Sequence, residues 1–166
     1  MKDDNFLKEN NARHLWHPMG HPADSLANPP KIITGAEGVK ITDIDGHSVV
    51  DAVGGLWCVN LGYSNDVVKD AIAKQLYDLP YYSAFAGSSN PPAIEASLAV
   101  REMFAEDGMS RVFFTSGGSD AVETTLRLAR QYHRLRGEPT RTKFISLKKG
   151  YHGTHFGGAS GNGNNR

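Results

Sequence analysis

Three observations predict an α/β architecture for this chain of 166 residues. An apolar run, RVFFT at 111–115, meets a tight corner, SGGS, and then a long helical pattern from Asp120 to Arg136. A second apolar run, KFISL at 143–147, follows and completes a strand–helix–strand unit. Far upstream, KIIT, VKIT and HSVVD between Lys31 and Asp51 alternate in the manner of short strands, with glycine-containing turns at Gly35–Gly38 and Asp43–Gly46. That is the pattern of an antiparallel meander.

Each remaining element has its own signal. Residues 12–30, ARHLWHPMGHPADSLANPP, are rich in Pro, His and small polar side chains and predict an irregular loop. In 65–79, Val68, Ala71, Ile72, Leu76 and Leu79 form one helical stripe, with Ser64 or Asn65 as N-cap and Pro80 as the stop. Pro91 and Pro92 suit the first turn of a second helix, on which Ala96, Ala99, Val100 and Met103 share a face and which Gly108 ends. The helix after the corner carries Ala121, Thr125, Leu128, Tyr132 and Leu135 on one stripe and stops at Gly137 and Pro139. Two strands cannot make a doubly wound sheet, and GGASGNGNNR stands where the next element is expected, so the sequence reads as the front of a longer protein.

Composition excludes several classes. Eighteen basic residues balance eighteen acidic ones, so no net field points to nucleic acid or to an anionic membrane surface. MKDDNFLKEN lacks the apolar stretch of a secretory signal, and no run of about 18 apolar residues reads as a membrane helix. A soluble cytoplasmic protein is expected. Cys58 is the single cysteine, expected as a buried structural thiol. His17 and His21 are spaced i, i+4, but Pro18 and Gly20 argue against the helix that would bring them together; His152 and His155 lie in a Gly-rich loop without nearby carboxylates or thiols. No metal is expected.

The corner at 116–120 has a chemistry of its own. A strand-to-helix turn leaves the first helical amides unpartnered, and the macrodipole adds partial positive charge there. Gly117 and Gly118 let a ligand approach the backbone, and Ser119 adds a hydroxyl, so a phosphate could be gripped without a lysine. A plain turn in which Ser119 only caps the helix is the alternative. Neither the P-loop nor the G-x-G-x-x-G pattern is present.

In its setting, FFTSGGSDAVE resembles the cofactor-phosphate segment of the class III pyridoxal-phosphate aminotransferases, usually F-x-N/T-S-G-S/T-E-A before a helix. The family also carries an aromatic-His-Gly triplet further on, and Tyr151, His152 and Gly153 stand after the second apolar run. Upstream, DAVGGLWCVNLGYSNDVVKDAIAKQLYDLPYYSAF is similar to the ω-transaminase branch, which includes the amine–pyruvate and β-alanine–pyruvate enzymes. The resemblance runs from about Leu15 to the end and matches only the N-terminal portion of a family member.

That resemblance implies a fold type I architecture, with a mixed, mostly parallel sheet and flanking helices. Residues 1–55 would belong to a smaller α+β domain and 56–166 to the first part of the large cofactor-binding domain. It implies pyridoxal 5'-phosphate as cofactor, its phosphate held by Gly118 and Ser119, with Tyr151 stacked on the ring and His152 and Gly153 beside it. Leu56, Trp57, Tyr82 and Phe85 would shape the substrate pocket; from the residues alone, ordinary packing is favoured for Tyr82 and stays open for Trp57 and Phe85. Asp120 replaces the commoner Glu; beside a phosphate it would repel unless it turned toward solvent or a cation, and at a helix start it is simply favourable with the dipole, which is the preferred reading.

The implied reaction moves an amino group from an amine or ω-amino acid to a keto acid such as pyruvate, in a ping-pong cycle through a lysine Schiff base, within a homodimer. An aminomutase or decarboxylase of the same fold, and a non-catalytic phosphate-binding module, are the alternatives. Lys143, Lys148 and Lys149 match no catalytic position, and the family's Schiff-base lysine lies downstream, so these residues alone are expected to be inactive.

Overall fold

The structure, a computed structural model, describes residues 3–163. It divides into two compact units, one ending at Tyr82 and the other starting at Ser83.

In the first unit, α1 (Asp4–His14) starts where the Asp3 carboxylate accepts from the amides of Asn5 and Phe6, at 2.6 and 3.2 Å. Side-chain caps of this kind satisfy amides that have no intrahelical partner. A second helix, α2 (Pro22–Ala27), has Pro22 in its first turn, and the His21 ring accepts from Ala23 N at 3.3 Å. The loop expected over 12–30 is therefore interrupted: the Pro that breaks a helix interior also opens one, because its missing N–H is not needed there. His21 acts as a cap.

The meander forms as β1 (Ile33–Glu37), β2 (Lys40–Asp43) and β3 (Ser48–Val50), antiparallel and in that order. Ile33 pairs with Asp43 and Glu37 with Lys40, across a bulge between Ile33 and Gly35; Lys40 also pairs with Val50. The first turn is tighter than the expected Gly35–Gly38, since Gly35 and Ala36 stay in the ladder and Gly38, at φ 56°, makes the reversal. Two-residue hairpin turns need such a residue. Between β2 and β3 the Asp43 carboxylate accepts from the amides of Asp45 and His47, at 3.0 and 2.9 Å.

After β3 comes a single turn, α3 (Gly54–Trp57), and then α4 (Asp66–Asp78), capped by Asn65 accepting from Val68 N at 3.1 Å. Cys58, expected to be buried, is exposed, and its thiol donates to Gly55 O at 2.8 Å. It lies at the end of the α3 turn, where the local hydrogen bond replaces packing.

In the second unit, α5 (Pro91–Met103) is capped by Asn90, accepting from Ala93 N at 3.0 Å. It stops before Gly108, which at φ 69° closes a further turn. The long helix α6 (Gly118–Leu135) begins two residues earlier than its apolar pattern, because Gly118 and Ser119 already have helical geometry. The short α7 (Phe156–Ser160) packs against it.

The runs at 111–115 and 143–147, expected as strands, carry no ladder among the described residues. A strand exists by virtue of its partner, and strands joined through a crossover helix need not be neighbours in the sheet. Their β-prone composition is real; the pairing is not formed between them.

No apolar side chain among the described residues is buried. The chain exposes 14326 Å², against roughly 8,100 Å² for a folded monomer of this size. Val68, Ala71, Ile72 and Leu76 of the expected stripe lie on α4, whereas Leu79 is its extended C-cap, and Val68, Ile72 and Leu76 all remain exposed.

Candidate functional site

At the corner, Gly117 is extended (φ −176°, ψ 177°) and serves as the N-cap of α6 without any side-chain cap. Ser119, one candidate for that role, does something else. The first amide to bond backwards is that of Ala121, to Gly117 O at 3.0 Å. The amides of Gly118, Ser119 and Asp120 therefore stand ahead of the helical ladder, at the positive end of an 18-residue helix. A Cβ built on Gly118 would meet nothing within 4 Å. The approach to these amides is open.

The structure brings the Tyr151-His152-Gly153 segment to this corner. Thr154 N donates to Ser119 Oγ at 3.0 Å, with the Thr154 hydroxyl 3.4 Å from the same oxygen. Gly153, at φ 99°, lies so close that a Cβ there would sit 2.8 Å from Ser119 Oγ and 2.9 Å from Ser119 Cα. Only glycine meets both conditions. Asn162 clamps the other side of the segment: its carbonyl accepts from His152 N at 2.6 Å and its amide donates to Gly153 O at 2.9 Å. The loop is tied again where Gly157 N donates to the Glu123 carboxylate at 2.5 Å.

A serine hydroxyl has one hydrogen to donate. With the Thr154 amide on its acceptor side, Ser119 can direct that hydrogen toward the open mouth of the corner, beside the three free amides. Asp120 turns toward His155, with Oδ1 3.8 Å from Nδ1. Tyr151 is exposed, and the buried Nε2 of His152 has no partner. The open groove along α6, about 770 Å³ and lined by residues such as Val122, Leu126, Arg130 and Phe144, does not include Gly118 or Ser119.

Of the other predicted site residues, Leu56, Trp57 and Tyr82 belong to the first unit and Phe85 to the second. Leu56 and Trp57 are 80 and 82% exposed. They lie on α3, which is wound left-handed: Gly54, Gly55, Leu56 and Trp57 have φ of 58, 61, 62 and 74°. For Leu56 and Trp57 that winding costs about 1–2 kcal/mol per residue. Tyr82 and Phe85 are exposed, with Phe85 N donating to Ser83 Oγ at 3.1 Å.

A third cluster is structural. Asp43, Asp45 and His47 bring potential ligand atoms within 4.8 Å of one another. Asp43, only 7% exposed, already accepts from two amides and the His47 ring, while Lys8 pairs with Asp45 and Lys31 lies 3.8 Å from Asp43. The His47 amide, then the His47 ring and the Asp45 amide, hold the carboxyl of Asp43 below its ordinary range.

Sequence reasoning missed Thr154, Asn162 and Glu123, whose roles depend on contacts across 35, 10 or 9, and 34 residues respectively. No local pattern carries such pairings.

Residues 23–165 match the family described as aminotransferase class-III. The chain belongs to that family. It is 42% identical over 130 residues to the putrescine–pyruvate aminotransferase of Pseudomonas aeruginosa, covering 78% of this chain and 28% of that protein. An amine transaminase from an uncultivated Pseudomonas species, solved in its PLP-bound form, is 50% identical with a TM-score of 0.86, covering 91% of this chain and 34% of that one. A thermostable omega transaminase, in a tryptophan-to-glycine variant engineered for asymmetric synthesis of enantiopure bulky amines, is 33% identical with a TM-score of 0.88, covering 95 and 35%. The class III chain thus spans about a third of the length of these relatives. Its fold is the corresponding part of the α/β fold type I transaminases.

Proposed function

We propose that this chain supplies the phosphate grip and one wall of the amine pocket in a pyridoxal-phosphate-dependent transaminase. That enzyme would pass an amino group from an amine or ω-amino acid to a keto acid such as pyruvate. The observation that carries the reading is the Thr154 amide on Ser119 Oγ. It frees one hydroxyl hydrogen for an anion beside three free helix-terminal amides. An ester phosphate fits there because Gly118 offers no side chain and Asp120 faces His155.

When bound, pyridoxal phosphate supplies the electron sink that acidifies the substrate carbon. The chain's own residues hold and orient. Gly118 and Ser119 fix the phosphate end, Tyr151 offers a flat face for the ring, and His152 and Gly153 keep the Tyr151 segment against the corner. Leu56, Trp57, Tyr82 and Phe85 provide apolar wall that selects the amine substituent and excludes water. The lysine that binds the cofactor and moves the proton is assigned to a part of the enzyme outside these residues. Residues 1–55 are assigned to a small domain and 56–166 to the large one, in a cytoplasmic homodimer. Among the described residues no helix is long and apolar enough to cross a membrane.

The test uses a complete enzyme in which this chain replaces the matching portion of the Pseudomonas amine transaminase. Ser119→Ala should weaken pyridoxal phosphate binding about 10- to 150-fold, the worth of a hydrogen bond to a charged group. Spectrophotometric titration of the cofactor reads it, and unchanged affinity removes Ser119 from the grip. Keto-acid-dependent amino transfer, assayed against isomerisation and carbon dioxide release, separates a transaminase from an aminomutase or decarboxylase.

A further inference from the structure

The residues from Asp51 to Tyr63 form a closed excursion whose two ends sit on the β1–β2 turn. Asp51 N donates to Val39 O at 2.9 Å, and Tyr63 N donates to Gly38 O at 2.8 Å. Ser64 Oγ adds an acceptor for Gly38 N at 2.7 Å. Gly62, at φ 73°, makes this approach possible, since a Cβ there would lie 2.7 Å from Gly38 O. Compact surface loops with adjoining ends hold their tips in a fixed place when their own side chains bridge them.

Here the bridge is a carboxylate. Asp51 accepts from the Tyr63 hydroxyl at 2.6 Å, from Gly55 N at 2.7 Å and from Val53 N at 3.2 Å. It thus joins the two ends of the loop to the first turn of the left-handed segment that carries Leu56 and Trp57. The Asp51 carboxyl lies below its ordinary range, chiefly through the Tyr63 hydroxyl, and the Tyr63 phenol is raised through the same bond. A left-handed turn containing two side-chain-bearing residues persists only where its surroundings over-determine it.

We infer that Asp51 and Tyr63 are positioning residues for amine selectivity, latching the strained Gly54–Trp57 turn so that Leu56 and Trp57 present one fixed wall to the substrate. This rests on the reading above that Leu56 and Trp57 face the amine. A hydrogen bond of Tyr63 or a charge on Asp51 does not itself touch substrate. Its loss therefore alters which amine fits rather than the chemistry common to all amines.

In the complete enzyme, kcat/KM is measured for an aryl-substituted amine and for a short aliphatic amine, and their ratio is compared among variants. Trp57→Ala sets the direction of the change. Tyr63→Phe and Asp51→Asn should each move the ratio in that direction by about two- to tenfold. The double variant should move it no further than the larger single one, because Tyr63 acts on the turn only through the Asp51 carboxylate. Gly55→Ala offers a second route where Asp51→Asn does not fold. At φ 61° its Cβ would lie 2.5 Å from Val59 Cγ2 and 3.3 Å from the Tyr63 hydroxyl, so it strains the turn and presses on the latch together, and the same shift is expected. Equal losses for both amines in Tyr63→Phe, or a change in melting temperature alone, overturn the latch. If Trp57→Ala leaves the ratio unchanged, the pocket reading falls and the latch with it; if Trp57→Ala shifts it and the latch variants do not, only the latch falls.

Discussion

Gly118→Ala separates a corner shaped for a ligand from one shaped for its own backbone. The residue is the first of α6, its φ is not positive, and an added Cβ would meet nothing within 4 Å. The protein alone therefore has no objection to alanine. Alanine in a helix is favoured over glycine by up to about 1 kcal/mol, so the melting temperature of the cofactor-free enzyme should hold or rise. A phosphate seated on the amides of Gly118 and Ser119 would meet the new methyl group directly. Loss of one hydrogen bond to a charged oxygen costs about 1.5–3 kcal/mol, or roughly 10- to 150-fold in cofactor affinity. The assay is paired: cofactor titration by absorbance and thermal unfolding of the cofactor-free form, both in the complete enzyme. Unchanged affinity with unchanged stability refutes the argument, since the only occupant left to object to the methyl would be absent.

Gly153→Ala should behave in the opposite way. Its Cβ would press on Ser119 while φ 99° strains any side chain, so the cofactor-free enzyme itself should lose about 2–5 kcal/mol. Equilibrium denaturation checks this, and a loss under about 1 kcal/mol would mean that the 153–154 segment is not held against the corner. A second expectation concerns pH. Asp43 has its carboxyl depressed by the His47 amide and then its ring, so its contribution is full above the unfolded value and is lost as pH falls through the lower folded value. The carboxyl carbon shift of Asp43, followed by NMR, should titrate with a midpoint below the ordinary 3.8; a midpoint at or above it contradicts the turn geometry.

Elements whose signals are local were legible in the sequence. Asn65 and Asn90 announce helices by capping chemistry, Pro91 marks a first turn, and the alternation at 31–51 gives the meander. Local signals also misled where one residue type serves two ends. Pro22 reads as a loop residue, yet it starts α2, and Gly35 reads as a turn, yet it sits in a bulged ladder. The left-handed turn at 54–57 was illegible for a different reason. Gly54 and Gly55 permit it, but Leu56 and Trp57 adopt it against their own preference, and the carboxylate that enforces it is bound to a tyrosine 12 residues away. Thr154 and Asn162 escaped in the same way: threonine and asparagine in a Gly-rich loop carry no signature until their partners are in space.

The hydrogen bonds around Ser119 account for how a site can be organised in a chain without a buried apolar side chain among its described residues. Ser119, Thr154, Asn162 and Glu123 fix the corner by hydrogen bonds that join segments up to 35 residues apart. Such bonds are directional but individually worth only about 0.5–1.5 kcal/mol, so they place groups without supplying the stability of a core. Packing has to come from the exposed faces of α4 and α6 and from the β-prone runs at 111–115 and 143–147, where Phe113, Phe114 and Ile145 remain exposed. The placement of Ser119 and the packing available to exposed side chains such as Phe113 are therefore separate questions with separate readouts. Cofactor affinity and amine selectivity report the first, while unfolding free energy reports mostly the second. A variant that changes ligand discrimination at constant stability consequently weighs more than one that merely melts early.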